Sequence, residues 1–504
     1  MKAPAQVSDI NKEWIQYMLT DYESKENTGT TVTVDSFETS KGCNTGEGYV
    51  GSIIKLQVKA TISRHSAGGN PESKDYDLVI KMKGGDPRND FAFEKAQVYL
   101  KEMLMYSKIL GELDNFQKNR ANNQFPISSP KFIYGKCTDE EFVLVMENIK
   151  GEGFYIHSKI KPFNFEHLKL AVTQLVRLHA VSYSYNQSHS FLDRHPEFKK
   201  TDYGIFFLKF ANPALFDVQC EILKKEKDED LAQKIKSNKK DLVKQCEEMH
   251  NENNYKVLCL IHGDAHALNM MFRYTDGDEN CEKPNDIKLI DWQVTHWNTP
   301  VMDLHYLIYS STNREFRKEH LEDILKLYHS TFVKATIDMG VEGLSWSYED
   351  FKIDFNRMAL YGLNKGFHLT FLHHCPDIVK RNEDEKQKAI NQSNFMKTLQ
   401  APLLKLYNKY FFSSAMDFVI NLLIKSYLIP CVKQITNREN EILASRILGL
   451  IYEAEENGLY GYFILFHFSV LRKSENICCP FMQASISKKS HRPPENILFN
   501  IICG

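Results

Sequence analysis

From Phe165 onward the chain is patterned for helix, and the pattern breaks once, between Lys256 and Gln293. That break is the strongest constraint on the fold. KVLCLI (256–261) is a short apolar run that delivers His262, Gly263 and Asp264 to its end. NMMFRY (269–274) and DIKLIDW (286–292) then read as two strands, joined by TDGDENCEKPN, a loop of turn formers. If these strands pair antiparallel, Asn269 begins one and Asp291 ends the other. Both side chains then lie at the open end of the hairpin, with Asp264 just before it. Three oxygen-bearing groups from separate positions converge.

Such a cluster is hard-ligand chemistry. The Asn269 amide oxygen and the Asp291 carboxylate suit Mg²⁺, which keeps several waters and takes its other ligands from substrate phosphates. Asp264 then remains to orient a hydroxyl and accept its proton. The same parts recur in phosphoryl transfer, as a catalytic Asp, an Asn on the metal and a second metal-binding Asp on a following strand. A zinc site is the competing reading of H-x-D-x-H. It needs His262 and His266 on one metal, with further ligands from His296, His305, His373 or His374, whose spacing nothing ties together. The blander reading, a turn with a capping Asp, leaves Asn269 and the IDWQ segment unexplained.

The remaining parts are expected upstream. A β-rich section runs through Thr31–Thr39, Tyr49–Ile62 and Asp77–Met82, where β-branched and polar residues alternate. Gly46 and Gly48, with Gly51 and Ser52, join the first two strands, where backbone amides can approach phosphates. Lys81 lies between Ile80 and Met82, so it faces away from both. Glu102, on the helix patterned between Phe91 and Phe116, is its natural partner. Further strands are expected at 131–135 and 142–147, and Met146, Glu147, Asn148 and Ile149 stand where the chain passes into its helical part. Ahead of all this, residues 7–22 read as a short helix with Ser8 as N-cap.

Composition excludes some partners. Lys plus Arg (63) nearly balances Asp plus Glu (65), which gives no reason to expect nucleic acid or an acidic membrane surface. The most apolar windows, Tyr410–Ile424 and Leu459–Leu471, fall short of the ~20 residues of a bilayer span. Eleven cysteines without C-x-x-C suggest reduced thiols and a cytoplasmic protein. The N-terminus lacks the pattern of a signal peptide. The last stretch, 461–504, has neither periodicity nor caps and is read as an atypical tail.

LIHGDAHALNMMF followed by IKLIDWQVTHWNTPVMDLHYLIYSS resembles the signature of the insect ecdysteroid-kinase-like (CHK kinase-like) family, grouped with the choline and aminoglycoside kinases. GEGYVGS (46–52), LVIKM (78–82), EMLMY (102–106), LVMENIKGEGF (144–154) and LVRLHAVSYSY (175–185) fit as well. The resemblance implies an α+β, two-lobed protein-kinase-like fold. Residues 1–147 would form the small β-rich lobe and 148–460 the larger helical lobe. It implies ATP and Mg²⁺ as cofactors, with Asp264 as catalytic base and Asn269 and Asp291 on the metal. Lys81, paired with Glu102, would contact the phosphates under the Gly46–Ser52 loop, and Met146–Ile149 would be the adenine hinge. Asp303 would brace the catalytic loop and His262 would position it.

Gly263 stands where protein kinases carry Arg, and Trp292-Gln293 replaces Phe-Gly. Only twelve positions separate Asp291 from Asp303, too few for a regulated activation segment. The implied enzyme acts on a small hydroxyl acceptor, an ecdysteroid or a related steroid or xenobiotic alcohol, and needs no obligate protein partner. His266 stands where relatives often carry Trp, which leaves substrate choice open. Phe206, Phe207, Trp297, Tyr361, Phe367 and Phe371 offer ring surface for core or pocket. A catalytically silent binder on the same scaffold, a choline-type kinase and a protein kinase are the alternatives.

Overall fold

The computed structural model describes residues 1–26, 28–42, 51–64, 70–83, 97–118, 120, 125–158, 161–199, 202–374 and 441–460. Contacts divide the chain into Met1–Tyr460 and Gly461–Gly504, and every described residue belongs to the first unit.

Helix α1 (Lys12–Glu26) precedes an antiparallel sheet of β1 (Thr30–Lys41), β2 (Gly51–Arg64), β3 (Glu72–Lys83), β4 (Phe132–Cys137) and β5 (Phe142–Glu147), in the order β1-β2-β3-β5-β4. Alternation decides which side is buried. Val32 and Val34, Leu56, Val58 and Ala60, and Leu78, Ile80 and Met82 share one face, and α1 covers it with Trp14, Ile15, Met18 and Leu19. The start of α1 differs from expectation. Ser8 lies in a separate 3₁₀ turn, Val7–Asp9, and Asn11 caps the helix by accepting from the Trp14 amide at 2.9 Å. With Asn11 as cap, Ile10 and Ile15 occupy the positions of a hydrophobic staple, and both are buried in this core.

Between β3 and β4 the chain forms α2 (Val98–Leu104), a π turn (Met105–Ile109) and α3 (Leu110–Lys118). The first part of the helix expected from Phe91 lies outside the described residues. After β5, a 3₁₀ turn at Ile149–Glu152 leads to β6 (Phe154–Ile156), a strand without a legible signal of its own.

The rest is mainly helical, with α4 (Phe165–His189), α5 (Asp202–Lys225), α6 (Glu229–Glu248), α7 (Val301–Ser311), α8 (Arg314–Asp338), α9 (Tyr348–Arg357), α10 (Ala359–His374) and α11 (Glu441–Glu456). Their apolar faces form a second core with α2 and α3. The fold is thus α+β in two lobes, a small β-rich one and a larger helical one. The interruption carries β7 (Cys259–Ile261), β8 (Met270–Tyr274), β9 (Pro284–Leu289) and β10 (His296–Asn298). β8 and β9 pair antiparallel, β6 flanks β8, and β10 pairs with β7. The KVLCLI run is strand only over its last three residues. The DIKLIDW strand ends at Leu289, before Trp292, because Asp291 takes the left-handed backbone, φ 67°.

Candidate active site

The hairpin register brings together Asn269 and Asp291, the pair expected to hold a metal. Met270 faces Leu289, and the Ile290 amide donates to the Asn269 carbonyl at 3.0 Å, one further rung. Asn269 and Asp291 therefore flank the open end, as the spacing requires. The Asn269 Nδ2 donates to the Asp264 carbonyl and to its Oδ2, both at 2.9 Å. Its amide nitrogen is thereby used within the loop, and the amide oxygen is the atom left for a cation.

Lys81 joins three elements. Its Nζ meets Glu102 of α2 at 2.8 Å and Asp291 Oδ1 at 2.9 Å, and it is only 7% exposed despite its charge. Ile80 and Met82 point into the α1 core while Lys81 faces the other way, as alternation demands. Burial pushes the Glu102 carboxyl upward, and the Lys81 charge opposes it. Lys81 in turn is held protonated against its own burial by the charges of Asp291 and Glu102.

The loop that carries Asp264 hangs from Asp303, in the first turn of α7. Its carboxylate accepts from the His262 amide at 2.7 Å and the Gly263 amide at 2.9 Å, and it meets His179 Nε2 at 3.1 Å. Burial alone would raise this carboxyl, but the hydrogen bond and charge of His179 outweigh it and hold it low. The bracing expected of Asp303 is present in full. His262, fully buried, donates from Nε2 to the Ile290 carbonyl at 3.0 Å, and its ring centroid is 4.6 Å from that of Trp292. It ties the loop to the end of the hairpin. Gly263 has φ 81°, and a Cβ there would stand 2.4 Å from the Val294 carbonyl oxygen. The Arg of protein kinases has no room at this position.

Asp264 is held from two sides. The Tyr306 hydroxyl donates to Oδ1 at 2.6 Å, and Asn269 holds Oδ2. His266 Nε2 lies 3.4 Å from Oδ2, while its Nδ1 accepts from the Leu268 amide at 3.2 Å. Burial would raise the Asp264 carboxyl, but the His266 charge and hydrogen bond, the Tyr306 hydroxyl and Lys365 keep it well below the usual carboxylate range. An ionised Asp264 with both oxygens fixed orients a hydroxyl better than it strips one. The two histidines of H-x-D-x-H serve separate bonds, and among the described residues no group of three or more His, Cys, Asp or Glu is placed to hold a metal ion.

Tyr306 and Lys365 are absent from the sequence-based set. Tyr306 lies one turn after Asp303 on the same helix face, a spacing that signals it once Asp303 is placed. Lys365 is a lone charge in the apolar run ALYGLNKGFHLTF (359–371), and its Nζ sits 4.6 Å from the Tyr306 ring centroid. Of the ring candidates, Trp297 and Phe367 are buried core, Trp297 stacking on Phe191. Tyr361 lies edge-on to Tyr306, at 6.3 Å between centroids. The side chains of Phe206, Phe207 and Phe371, like Gly46 and Gly48, lie outside the described residues. Ser52 is described in its backbone alone, where it pairs with Met82. Around the expected hinge, the amides of Glu147 and Asn148 donate to the carbonyls of Lys131 and Asp77 at 3.0 and 2.9 Å, so this strand end is tied at both neighbours.

Residues 45–341 match the ecdysteroid kinase-like family, a span that contains Lys81, Glu102, Asp264, Asn269, Asp291, Asp303 and Tyr306 but not Lys365. The chain belongs to that family. As an ecdysteroid kinase-like protein it is an ATP-dependent small-molecule kinase, a phosphotransferase. No curated protein matches the chain. Among solved structures it is similar to the GDP complex of wild-type aminoglycoside 2'-phosphotransferase-IIIa, with 13% identity over 75% of this chain and 98% of that one and a TM-score of 0.30. It is also similar to the amicoumacin kinase hAmiN in complex with AMP-PNP, Ca²⁺ and Ami, with 13% identity over 63% of this chain and 84% of that one and a TM-score of 0.28. Both superpositions are loose, and the assignment rests on the family match. No helix among the described residues is long and apolar enough to cross a membrane.

Proposed function

We propose that this kinase transfers the terminal phosphoryl group of ATP to a hydroxyl of an ecdysteroid or a related steroid or xenobiotic alcohol. The observation that carries the reading is Asp264, ionised and clamped by Tyr306 and Asn269, at the end of the hairpin whose Asp291 is paired with Lys81. The acceptor hydroxyl donates to Asp264 and is thereby aimed for in-line attack. Positioning and charge dominate because the transition state is loose. Lys81 neutralises charge on the phosphates, with Glu102 fixing its reach, and the Gly46–Ser52 loop covers them. Met146–Ile149 presents backbone to the adenine.

The oxygen donors of Asn269 and Asp291 suit a hard divalent cation, and the side chain of Asp291 is 28% exposed, open enough to be shared with one. Magnesium held there supplies charge neutralisation at the terminal phosphates when bound. In this reading residues 1–147 cover the nucleotide, and 148–460 supply the catalytic loop and the acceptor site. Cys220, Cys246 and Cys259 are free and buried, which fits a reducing cytoplasmic setting for the enzyme.

The test is mass spectrometry of a mixture of ecdysteroids and xenobiotic alcohols incubated with the protein, ATP and Mg²⁺. A phosphate adduct on a steroid or phenolic hydroxyl is the expected result. ATP-induced thermal stabilisation without any adduct would favour a silent binder on the kinase scaffold.

A further inference from the structure

One cation of the helical lobe enters phosphoryl transfer, as described, only through its charge on Asp264. Lys365 lies on α10, which packs along α7. Its ammonium sits 4.6 Å from the Tyr306 ring centroid and 5.7 Å from that of Tyr361, in a two-phenol cradle. Tyr306 is the residue whose hydroxyl holds Asp264 Oδ1, so the cradle adjoins the catalytic carboxylate on that oxygen's side. The other oxygen belongs to Asn269, one of the proposed metal pair. Burial lowers the Lys365 pKa, and Asp264 is the one carboxylate among the described residues whose charge supports the ammonium. His368, three residues on, is pushed down to about 4 by burial and by Lys365, so it stands neutral at neutral pH.

An aromatic cradle beside a catalytic carboxylate is what a quaternary ammonium acceptor would seek. Here the protein's own ammonium already occupies it. Ring faces replace only part of the hydration a lysine loses, and Asp264 already accepts from Tyr306 and Asn269. An oxygen of the acceptor would give Lys365 the hydrogen bonds that the rings do not. We propose that Lys365 sets the charge class of the acceptor: it binds oxygen-rich neutral or acidic alcohols through an oxygen near the reacting hydroxyl and excludes acceptors that carry a cation. The assignment rests on the acceptor site proposed above and narrows it.

The test is calorimetric binding of three matched ligands in the presence of AMP-PNP and Mg²⁺. They are a polyhydroxylated steroid alcohol and its derivatives bearing a carboxylate or a trimethylammonium group. Two like charges about 6 Å apart in a partly buried site predict binding of the ammonium derivative weaker by about tenfold or more than that of the parent alcohol. Lys365→Met should bring the two within about twofold, Lys365→Glu should reverse their order, and Lys365→Arg should keep the wild-type order. Lys365→Gln replaces the Met variant if that variant loses its AMP-PNP-dependent thermal shift. A wild-type protein that binds the ammonium derivative as well as the parent, or binds none of the three, overturns the proposal. So does a gap that survives removal of the charge. Binding is read without turnover, so absence of phosphate transfer from ATP would sink the kinase reading while leaving the charge preference to be judged by itself.

Discussion

The two ends of the active site are held by different forces. At the end proposed for the nucleotide, Lys81, Glu102 and Asp291 come from a strand, a helix and the hairpin terminus, and their bonds span 21 and 210 residues of chain. At the end proposed for the acceptor, Asp264, Asn269, His262, Gly263 and Asp303 lie within 41 residues and are joined by hydrogen bonds that use backbone amides and a backbone carbonyl. The first is an electrostatic clasp between lobes, which forms only when sheet, α2 and hairpin are all in place. The second is a braced loop whose shape is built into its neighbourhood. A clasp of this kind is sensitive to the charge of each member, and a brace is sensitive to loss of any acceptor.

Asp264→Asn is the largest expected change. It should lower turnover by about three orders of magnitude, while ATP-dependent thermal stabilisation is retained, because the clasp is untouched. Loss of both in one variant would show that the two ends are not separable. Asp303→Ala strips the acceptor from two amides and from His179 in a buried site. Denaturant unfolding should show a loss of about 3 kcal/mol, with turnover falling too; an unchanged midpoint would mean the loop holds its shape without the brace.

Lys81→Met should act mainly at the other end, raising KM for ATP by about tenfold or more. Combined with Glu102→Gln, the two losses should be far from additive, since each already dissolves the same pair. Additive effects would refute the clasp. Tyr306→Phe is the mildest. It removes the bond to Asp264 Oδ1 and should cost about threefold to tenfold in kcat with KM for ATP unchanged. A shift in KM for ATP instead would place Tyr306 with the nucleotide.

Legibility divides along the same line. Asp264, Asn269 and Asp291 were readable because a hairpin converts sequence spacing into proximity with little ambiguity. Lys81 was readable from strand alternation, which puts a charge on the face opposite Ile80 and Met82. Tyr306 follows from helical spacing only after Asp303 has been assigned. Lys365 was missed: it is a lone charge in an apolar run, and nothing local says which face of α10 meets α7. The N-terminal cap was misplaced for a similar reason: Ser8 and Asn11 are both good caps, and the packing of Ile10, Trp14 and Ile15 under the sheet selects Asn11.

By itself the sequence determined which residues meet at the hairpin, the two-part pattern of strands then helices, and the family. Those follow from periodicity and short-range spacing, which the covalent chain imposes. The tertiary structure alone decided which bonds each group keeps. It set Lys81 between two carboxylates, turned the Asn269 nitrogen inward so that its oxygen is available, and filled the phenol cradle beside Asp264 with Lys365. Such assignments depend on distances between segments remote in sequence, and only packing sets those distances.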